Sequence, residues 1–364
     1  MNESIIRKVL ETYNDEEYVK FTFNYDIEEI KKWDYNPVRL NIQLTKLCNQ
    51  RCISCNCGPH ISTENELDLN EIKSIIKEVC SKYDIKNIAF TGGEPLIKSN
   101  FLEIVEYAKR YSEQVSVTTN AQLIKSVNFA EELLIKGINN ITISYHGIGI
   151  HDYFTQKKGA EENLKKGLSY VKTAANNLEK SIRIKVGHLL TELSYENLQN
   201  FMEFCENEDV ELYIEIPMDD IPVFDNKNIE KVKIKDNKKI NEIIDLLKKW
   251  KKEKKNLLLN EEAIVFVEKY MKKERIESPC PIGFYDIYVD AIGNVYTGCW
   301  ALPSIGNVRD EKIIKILNSD KLYENLDKML KRQCDGCTCG YNMMSKYYIP
   351  YLIESLKNKY RNGE

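Results

Sequence analysis

The chain has 364 residues, a net charge of −4 and 30% charged residues. A chain of this length can bury a large core without disulfide bonds, and its small net charge, with no sustained basic stripe, argues against nucleic acid as a partner. The amino-terminal segment MNESIIRKVL lacks an apolar core of signal-peptide length, and no eighteen apolar residues run together. We therefore expect a cytoplasmic protein that does not insert into a membrane.

Six strand-like runs alternate with amphipathic helical stretches in the first part of the chain. The predicted strands are residues 38–44, 87–91, 114–119, 140–145, 181–189 and 211–216. The predicted helices between them are residues 69–79, 102–111, 129–135, 160–171 and 195–205. This alternation is typical of βα units, so it predicts an α/β fold with a parallel sheet.

Several of the predicted strands carry polar residues on one face. On the first strand, Leu40 and Ile42 share one face, and Arg39, Asn41 and Gln43 share the other. Parallel strands buried on both faces are usually apolar throughout, so a repeated polar face indicates an open partial barrel whose lumen holds a large polar ligand. The alternative is ordinary surface alternation without a shared lumen.

A polar segment, DDIPVFDNKN, follows Pro217 and interrupts the strand and helix pattern. We expect an amino-terminal extension at residues 1–37, the partial barrel at 38–218, a helical linker at 219–275 and a small α+β domain at 276–364.

The chain contains eleven cysteines, which in a reducing compartment point to metal binding rather than to disulfides. Cys48, Cys52 and Cys55 lie in the run TKLCNQRCISC directly after the first strand, where a barrel loop lies over the lumen. Three thiolates suit an iron–sulfur cluster with one iron open to a chelating ligand. The alternative is zinc, with Cys57 as the fourth ligand.

This Cys-x3-Cys-x2-Cys loop, together with the segment Gly92, Gly93, Glu94 and Pro95 after the second strand, resembles the radical S-adenosylmethionine (radical SAM) superfamily. The resemblance implies a partial (β/α)6 TIM-type barrel, a [4Fe-4S] cluster on the three cysteines, and S-adenosyl-L-methionine as cofactor. It also implies that the Gly-Gly-Glu-Pro segment receives the methionine amino group. Further contacts to the ribose or carboxylate of the nucleotide are implied at Thr118, Asn120, Ser144 and Lys185.

The chain departs from the family pattern at two positions. Ser54 stands before the third cysteine, where the family commonly has an aromatic residue that packs near adenine. Cys57 has no role in the family pattern. The first departure affects the expected adenine contact and leaves the expected cluster chemistry unchanged.

A second set of cysteines lies near the carboxyl end. Cys280 and Cys299 flank a predicted hairpin with strands at 285–289 and 295–296 and a turn at 290–293. Cys334 and Cys337 follow a predicted helical stretch at 313–330, and their pairing with the first two suits zinc or an iron–sulfur cluster equally. Cys80 and Cys205, each on an apolar helix face, are expected in the core.

This second set resembles the twitch or shortened SPASM extensions of radical SAM enzymes. The resemblance implies one auxiliary [4Fe-4S] cluster held by Cys280, Cys299, Cys334 and Cys337. Cys339 is an alternative ligand to Cys337.

The resemblance further implies an enzyme, an oxidoreductase or maturase. One electron from a reductant such as flavodoxin or ferredoxin would cleave the cofactor, and the resulting 5′-deoxyadenosyl radical would abstract hydrogen from the substrate. The auxiliary cluster would accept an electron. Among polar residues at the lumen mouth, His146 and Glu215 are candidate catalytic residues, without an assigned role.

Two substrate classes fit this chemistry. A ribosomally synthesised peptide, to be cross-linked, oxidised or epimerised, is favoured because such peptides are common substrates of SPASM-type enzymes. A small alcohol, cyclitol or sugar of natural-product biosynthesis is the alternative. A non-catalytic metal-binding scaffold is a third hypothesis.

Overall fold

The computed structural model describes residues 27–31, 35–218, 226–254, 256–274, 280 and 282–331. In these ranges nine strands form one sheet. They are β1 (Arg39–Gln43), β2 (Asn87–Thr91), β3 (Gln114–Thr119), β4 (Asn140–Ser144), β5 (Arg183–Leu189), β6 (Glu211–Glu215), β7 (Asp286–Val289), β8 (Asn294–Tyr296) and β9 (Gly306–Asn307). Their spatial order is β6-β5-β4-β3-β2-β1-β7-β8-β9.

The strands β1 to β6 confirm the six predicted strands within two residues at each end. All neighbouring pairs from β6 through to β7 are parallel, and β7–β8 and β8–β9 are antiparallel. The apolar residues of the first strand, Leu40 and Ile42, are fully buried against the surrounding helices. The alternation in sequence therefore gives a mixed α/β fold with an open parallel sheet, as in a partial TIM barrel.

The described ranges also contain thirteen α-helices. They are α1 (Ile27–Lys31), α2 (Leu69–Lys82), α3 (Phe101–Ala108), α4 (Val127–Lys136), α5 (His151–Thr155), α6 (Ala160–Asn177), α7 (Leu198–Asn207), α8 (Asn226–Val232), α9 (Asn237–Glu253), α10 (Glu261–Met271), α11 (Ile282–Tyr285), α12 (Ile313–Ile316) and α13 (Asp320–Leu330). Short 3₁₀ turns occur at Pro95–Ile97 and Tyr195–Asn197. Among these helices, none combines the length and the apolar character needed to cross a bilayer.

The helical stretch predicted at 313–330 is divided in the structure into two helices, α12 and α13. Ser319 precedes α13, and its hydroxyl donates a hydrogen bond of 2.7 Å to the carbonyl of Ile316. Serine competes with the helical backbone in this way and favours helix starts over helix interiors. The buried apolar residues on both sides continue the same pattern, so periodicity alone did not reveal the break.

The predicted hairpin after Cys280 is confirmed as β7 and β8, and the structure adds its position. β7 lies parallel to β1, with Arg39 opposite Asp286. Side chains reinforce the pairing, because the Asn41 amide donates to the Asp286 carboxylate at 3.2 Å and the Ala291 N–H donates to the Gln43 side chain at 3.3 Å. The carboxyl-terminal hairpin therefore extends the barrel sheet directly.

The opposite edge of the sheet is also paired. The N–H of Leu212 on β6 donates to the carbonyl of Asn256 at 2.7 Å, and the N–H of Leu258 donates back to Leu212 at 2.9 Å. These bonds form a parallel bridge between Leu212 and Leu257. The segment between α9 and α10 thus satisfies part of the edge that β6 would otherwise expose.

Candidate functional site

Cys48, Cys52 and Cys55 lie in the loop after β1, at the carboxyl end of the parallel strands. The loop is closed by main-chain bonds, because the Cys48 N–H donates to the Gly58 carbonyl at 3.2 Å and the Gly58 N–H donates to Lys46 at 3.3 Å. The Cys48 thiol is buried, and the other two are partly buried. The structure therefore places the three cysteines, as predicted, in the loop that follows the first strand.

Gly92 and Gly93 pack against the backbone that leads into this loop. The Gly93 N–H donates to the Thr45 carbonyl at 2.7 Å, and the Glu94 N–H donates to the Leu47 carbonyl at 2.9 Å. A Cβ on Gly93 would lie 2.3 Å from the Leu47 oxygen, and one on Gly92 would lie 2.7 Å from the Thr45 oxygen. Glycine is required at both positions because the two backbones approach too closely for any side chain.

We expect Gly93→Ala to displace the cysteine loop, because the new methyl group would collide with backbone atoms that cannot rotate away. Overpacking of this kind costs about 1–3 kcal/mol. The variant should therefore hold less iron after anaerobic reconstitution and should melt at a lower temperature in its metal-free form. Gly58→Ala is the matched control, because its Cβ would meet nothing closer than the Gln50 oxygen at 4.0 Å. Equal iron content in the two variants would contradict this account of the glycines.

The Glu94 carboxylate is fully buried between the ends of β2 and β3. One oxygen accepts from the Leu96 N–H at 3.0 Å and from the Thr119 hydroxyl at 2.8 Å, and the other accepts from the Asn120 N–H at 2.8 Å. Burial raises the pKa of Glu94 to about 7 in spite of these bonds, since removal from water penalises the charged form. Glu94 thus fixes the second strand to the third, and its contact with a methionine amino group stays a prediction.

Asn120, at the carboxyl end of β3, contacts the cysteine loop directly. Its amide nitrogen lies 3.7 Å from the Cys48 sulfur and donates to the Asn49 side chain at 2.7 Å. Its own oxygen accepts from the Gln122 N–H at 3.0 Å, which fixes the orientation of the amide. A donor aimed at the sulfur is the kind of contact that tunes the potential of an iron–sulfur cluster.

The remaining predicted cofactor contacts lie on neighbouring strands. Thr118 on β3 pairs with Thr142 on β4, which in turn pairs with Lys185 on β5. Ser144 lies two residues beyond Thr142, toward the carboxyl end of β4. Burial lowers the pKa of Lys185 to about 8, and the positive charge of Arg39 adds to this effect. Pro95 is buried at the start of a 3₁₀ turn that Glu94 caps. Their contacts with a nucleotide stay predictions.

His146 follows β4 and belongs to a group of histidines that the sequence did not reveal. Its ring centroid lies 4.4 Å from that of Phe154 and stacks at 5.7 Å on that of His151, and the backbone N–H of His146 donates to the Nδ1 of His151 at 3.2 Å. Burial lowers the pKa of His146 well below its usual value. The Nδ1 of His188, on β5, lies 3.1 Å from the Tyr145 carbonyl. The other candidate, Glu215, ends β6 and is half-buried.

Helix α5 packs against the cysteine loop and was not predicted. The Arg51 N–H donates to the Thr155 carbonyl at 3.1 Å, and the Ile53 N–H donates to the Phe154 carbonyl at 2.9 Å. The Lys157 ammonium donates to the Asn49 carbonyl at 3.0 Å. A helix of five residues is too short to produce a readable apolar period, so only the structure shows this contact.

The thiols of the loop influence one another. Burial raises the pKa of Cys48 to about 11 and raises that of Cys52 further, whereas a hydrogen bond from Cys57 lowers the pKa of Cys55 to about 7. In the described ranges no three histidine, cysteine or acidic side chains converge on the position of a single metal ion. A four-iron cluster places each of three thiolates on a different iron, whereas the zinc alternative would need Cys57 as a fourth ligand.

The second cysteine site is described only in part. Cys280 is buried, and its N–H donates to the Met329 carbonyl at 3.1 Å, while Cys299 follows the hairpin and is half-buried. Cys334, Cys337 and Cys339 lie outside the described residues, so the auxiliary ligand set stays a prediction. Cys205 is buried in the core, and Cys80 is partly buried against it.

Two family models match this chain. The Radical SAM superfamily model matches residues 42–207, which includes the end of β1, the three-cysteine loop and β2 to β5. The model of an iron–sulfur cluster-binding domain, SPASM, matches residues 280–339. The matched ranges contain every cysteine predicted to ligate a cluster.

Curated relatives match part of the chain. A probable GTP 3′,8-cyclase of Methanocaldococcus jannaschii is 29% identical over 174 residues, which is 46% of this chain and 55% of the relative. A probable GTP 3′,8-cyclase of Thermococcus kodakarensis is 30% identical over 145 residues, 38% of this chain and 46% of the relative. The chain thus spans about half the length of these relatives.

Solved structures share the fold over most of the chain. Streptococcus suis SuiB bound to S-adenosylmethionine has a TM-score of 0.61 at 15% identity and covers 82% of this chain and 69% of its own. Native anSMEcpe with bound AdoMet has a TM-score of 0.61 at 16% identity and covers 90% and 98%. At such identities these structures show the fold alone. The two family models, which match residues 42–207 and 280–339, identify the chain as a radical SAM enzyme with a SPASM-like carboxyl-terminal domain, and these two domains imply S-adenosylmethionine, a [4Fe-4S] cluster and an auxiliary iron–sulfur cluster.

Proposed function

We propose that this enzyme forms a 5′-deoxyadenosyl radical at the loop of Cys48, Cys52 and Cys55 and uses it to abstract hydrogen from a ribosomally synthesised peptide. The observation that carries the proposal is the parallel pairing of β7 with β1. β1 leads into the three-cysteine loop, and β7 lies between Cys280 and Cys299. Both cysteine sites therefore belong to one continuous sheet, with the three-cysteine loop at the carboxyl end of β1 and with Cys280 and Cys299 toward the amino end of β7.

When bound, the two clusters would supply the electron for cofactor cleavage and an acceptor for the electron left on the substrate. The residues of the chain hold the geometry for this chemistry. Gly93 and Glu94 hold the start of the cysteine loop through backbone hydrogen bonds, and the Asn120 amide is aimed at the Cys48 sulfur. A preorganised loop of this kind needs little rearrangement when the cofactor binds.

The polar inner face supplies the binding groups. Thr118, Ser144 and Lys185 point from adjacent strands to the same side of the sheet, where they can hold the hydroxyl and carboxylate groups of the cofactor. The Nδ1 of His146 is buried and has no hydrogen-bond partner among the described residues. Because a buried ring nitrogen without a partner is costly, this atom is available to a bound substrate or water.

The peptide substrate is supported by two similar folds. SuiB has been solved bound to its precursor peptide SuiA, and anSMEcpe has been solved with the Cp18Cys peptide. Both cover more than four fifths of this chain. The support is a likeness of fold, and the peptide itself is our inference.

A nucleotide is the second candidate substrate. The relatives at 29% and 30% identity are named as probable GTP 3′,8-cyclases. A small alcohol, cyclitol or sugar falls in the same class of compact polar substrates. The positive charges of Arg39 and Lys185 on the inner face would suit a phosphorylated member of this class.

The experiment that tests the proposal compares substrates under one set of conditions. Anaerobically reconstituted enzyme is reduced with dithionite and mixed with S-adenosylmethionine, and 5′-deoxyadenosine is measured by chromatography. A peptide encoded by a neighbouring gene should increase its formation and, when deuterated, should transfer deuterium into it. Deuterium transfer from GTP instead would establish the second candidate. Absence of 5′-deoxyadenosine from fully reconstituted enzyme would refute both.

A further inference from the structure

Three aromatic rings at the carboxyl-terminal hairpin form a three-sided arrangement, which we call the aromatic cage. The rings of Tyr296 and Trp300 are close to parallel, with an interplanar angle of 28° and centroids 6.5 Å apart. The Tyr288 ring stands at 69° to Trp300 and at 71° to Tyr296, with centroid distances of 4.0 Å and 6.3 Å. Two nearly parallel walls and a third ring that is steeply inclined to both are typical of sites that bind cations through the faces of aromatic rings.

The aromatic cage lies on the polar inner face of the sheet. Tyr288 pairs with Asn41 on β1 and with Tyr296 on β8. Paired residues of neighbouring strands place their side chains on the same side of a sheet, and Asn41 belongs to the polar side of β1. Tyr288 is buried there, whereas Tyr296 and Trp300 are half-buried. The cage therefore presents partly exposed rings on the inner face.

A buried carboxylate contacts the cage. Asp290 accepts hydrogen bonds from the backbone N–H of Asn294 at 2.9 Å, from the side-chain amide of Asn294 at 2.8 Å and from the Tyr296 hydroxyl at 3.4 Å. On the same strand Asp286 has an ion pair with Arg39 at 3.7 Å, but no lysine, arginine or histidine of the described ranges pairs with Asp290. A buried negative charge without a cationic partner favours a positively charged ligand.

Cations of the chain itself lie over other rings. In the part of the chain that the structure describes, lysine or arginine lies 4.4 to 5.9 Å from the ring centroids of Tyr107, Tyr145, Tyr195 and Phe204, and none lies over the cage. The Tyr288 hydroxyl is buried without a hydrogen-bond partner among the described residues. Because an unpaired buried hydroxyl costs free energy, this atom points to a bound molecule that carries a polar group.

We propose that the aromatic cage of Tyr288, Tyr296 and Trp300, together with Asp290, binds a cationic side chain, lysine or arginine, of the peptide substrate. This inference rests on the proposed peptide substrate. The cation contacts the ring faces, and a carbonyl group of the same peptide accepts a hydrogen bond from the Tyr288 hydroxyl. Trp300 directly follows Cys299, so the cage holds the peptide beside the second cysteine site. No covalent step takes place at the cage.

The test is a binding measurement on full-length, anaerobically reconstituted enzyme that is saturated with S-adenosylmethionine and left unreduced, so that no turnover occurs. Blocked pentapeptides of glycine with lysine, arginine or norleucine at the central position are titrated by isothermal titration calorimetry. Norleucine keeps the straight apolar chain of lysine and removes its charge. We expect the lysine or the arginine peptide to bind about ten-fold more tightly than the norleucine peptide. The comparison of lysine with arginine identifies the preferred cation.

Substitutions in the cage separate the effect of its rings from that of its charge. Trp300→Leu and Tyr296→Leu each remove one ring at constant net charge and should abolish the preference for the cationic peptide. Tyr296→Phe keeps the ring and should retain most of the preference. Asp290→Asn removes the charge and should lower the preference. Tyr111→Leu is the matched control, because the Tyr111 ring packs 5.3 Å from that of Tyr107 on helix α3, outside the cage.

Equal binding of the three peptides to the unaltered enzyme overturns the inference, because the rings then serve only as packing. A preference that persists in folded Trp300→Leu and Tyr296→Leu overturns it as well, since the cation then binds elsewhere. If the leucine variants lose iron or melt early, Asp290→Asn decides, and an unchanged preference in that variant is the contrary result. Selective loss of the preference in the cage variants, with Tyr111→Leu unaffected, confirms the cage.

Failure of the cage is distinguishable from failure of the proposed function. Formation of 5′-deoxyadenosine after reduction with dithionite is measured on the same preparations. Normal formation together with equal binding of the three peptides refutes the cage alone. Absence of 5′-deoxyadenosine from the unaltered, fully reconstituted enzyme refutes the proposed function, and the calorimetric preference then still reports whether the cage binds cations.

Discussion

Replacing Cys48, Cys52 and Cys55 together with alanine is expected to abolish 5′-deoxyadenosine formation while the chain stays folded. The loop is held by main-chain bonds to Gly58 and to helix α5, and these do not involve the thiols. Loss of the sulfur ligands should lower the iron content of reconstituted enzyme from about eight atoms to about four, because only one of the two four-iron clusters would remain. Chromatography of the nucleoside products and iron analysis measure both effects.

Cys57→Ala is the control that separates the two metal hypotheses for this loop. Cys57 is buried, and its backbone N–H donates a hydrogen bond to the Cys55 sulfur, yet the iron–sulfur hypothesis gives Cys57 no ligand role. We expect this variant to retain most of its iron and most of its cofactor cleavage. If Cys57→Ala loses metal as completely as the triple variant, a four-thiolate site is present and the radical chemistry assigned to the loop is wrong.

Replacing Cys280 and Cys334 with alanine is expected to stop substrate turnover and to leave reductive cleavage of S-adenosylmethionine largely intact. Cys280 lies before the hairpin, and its main-chain N–H donates to the Met329 carbonyl at 3.1 Å. Iron content should again fall from about eight atoms to about four. The remaining cluster should keep its electron paramagnetic resonance signal, including the change that S-adenosylmethionine produces.

Cys80→Ala provides the matched control, because Cys80 lies on the outer helix α2 and is partly buried against the core. It should change neither iron content nor turnover. A folded Cys280 and Cys334 variant that also lost cofactor cleavage would show that the two sites do not divide the chemistry as proposed. Retained turnover of the peptide would show instead that the second site has no part in the reaction.

The barrel strands could be predicted because each carries its own signal. Apolar and polar residues alternate along β1 and β4, and this pattern is visible in the few consecutive residues of each strand. The position of β7 could not be predicted in this way, since its contacts, such as that between Asn41 and Asp286, join residues 245 positions apart. Helix α5 was missed because five residues give no periodicity.

The cysteine loop was visible in the sequence because the spacing of its ligands is local. Its support was less visible. The resemblance to a known family pointed to Gly93, but only the structure shows that its Cβ would collide with Leu47. The three hydrogen bonds that the buried Glu94 accepts also depend on the packing of β2 against β3.

The pairing of β7 with β1 makes the carboxyl-terminal module part of the barrel's own architecture. Were the chain cut before Cys280, β1 would become an edge strand, with its N–H and C=O groups open to water along the side that now faces β7. The removal of β7 would also take the apolar residues Ile287 and Val289 out of the core. An exposed edge next to an apolar surface promotes aggregation, so the barrel is not expected to persist as an independently folding fragment. An enzyme of this kind that gained or lost the second cysteine site would therefore also have to change the pairing of β1, the strand that leads into the first cysteine site.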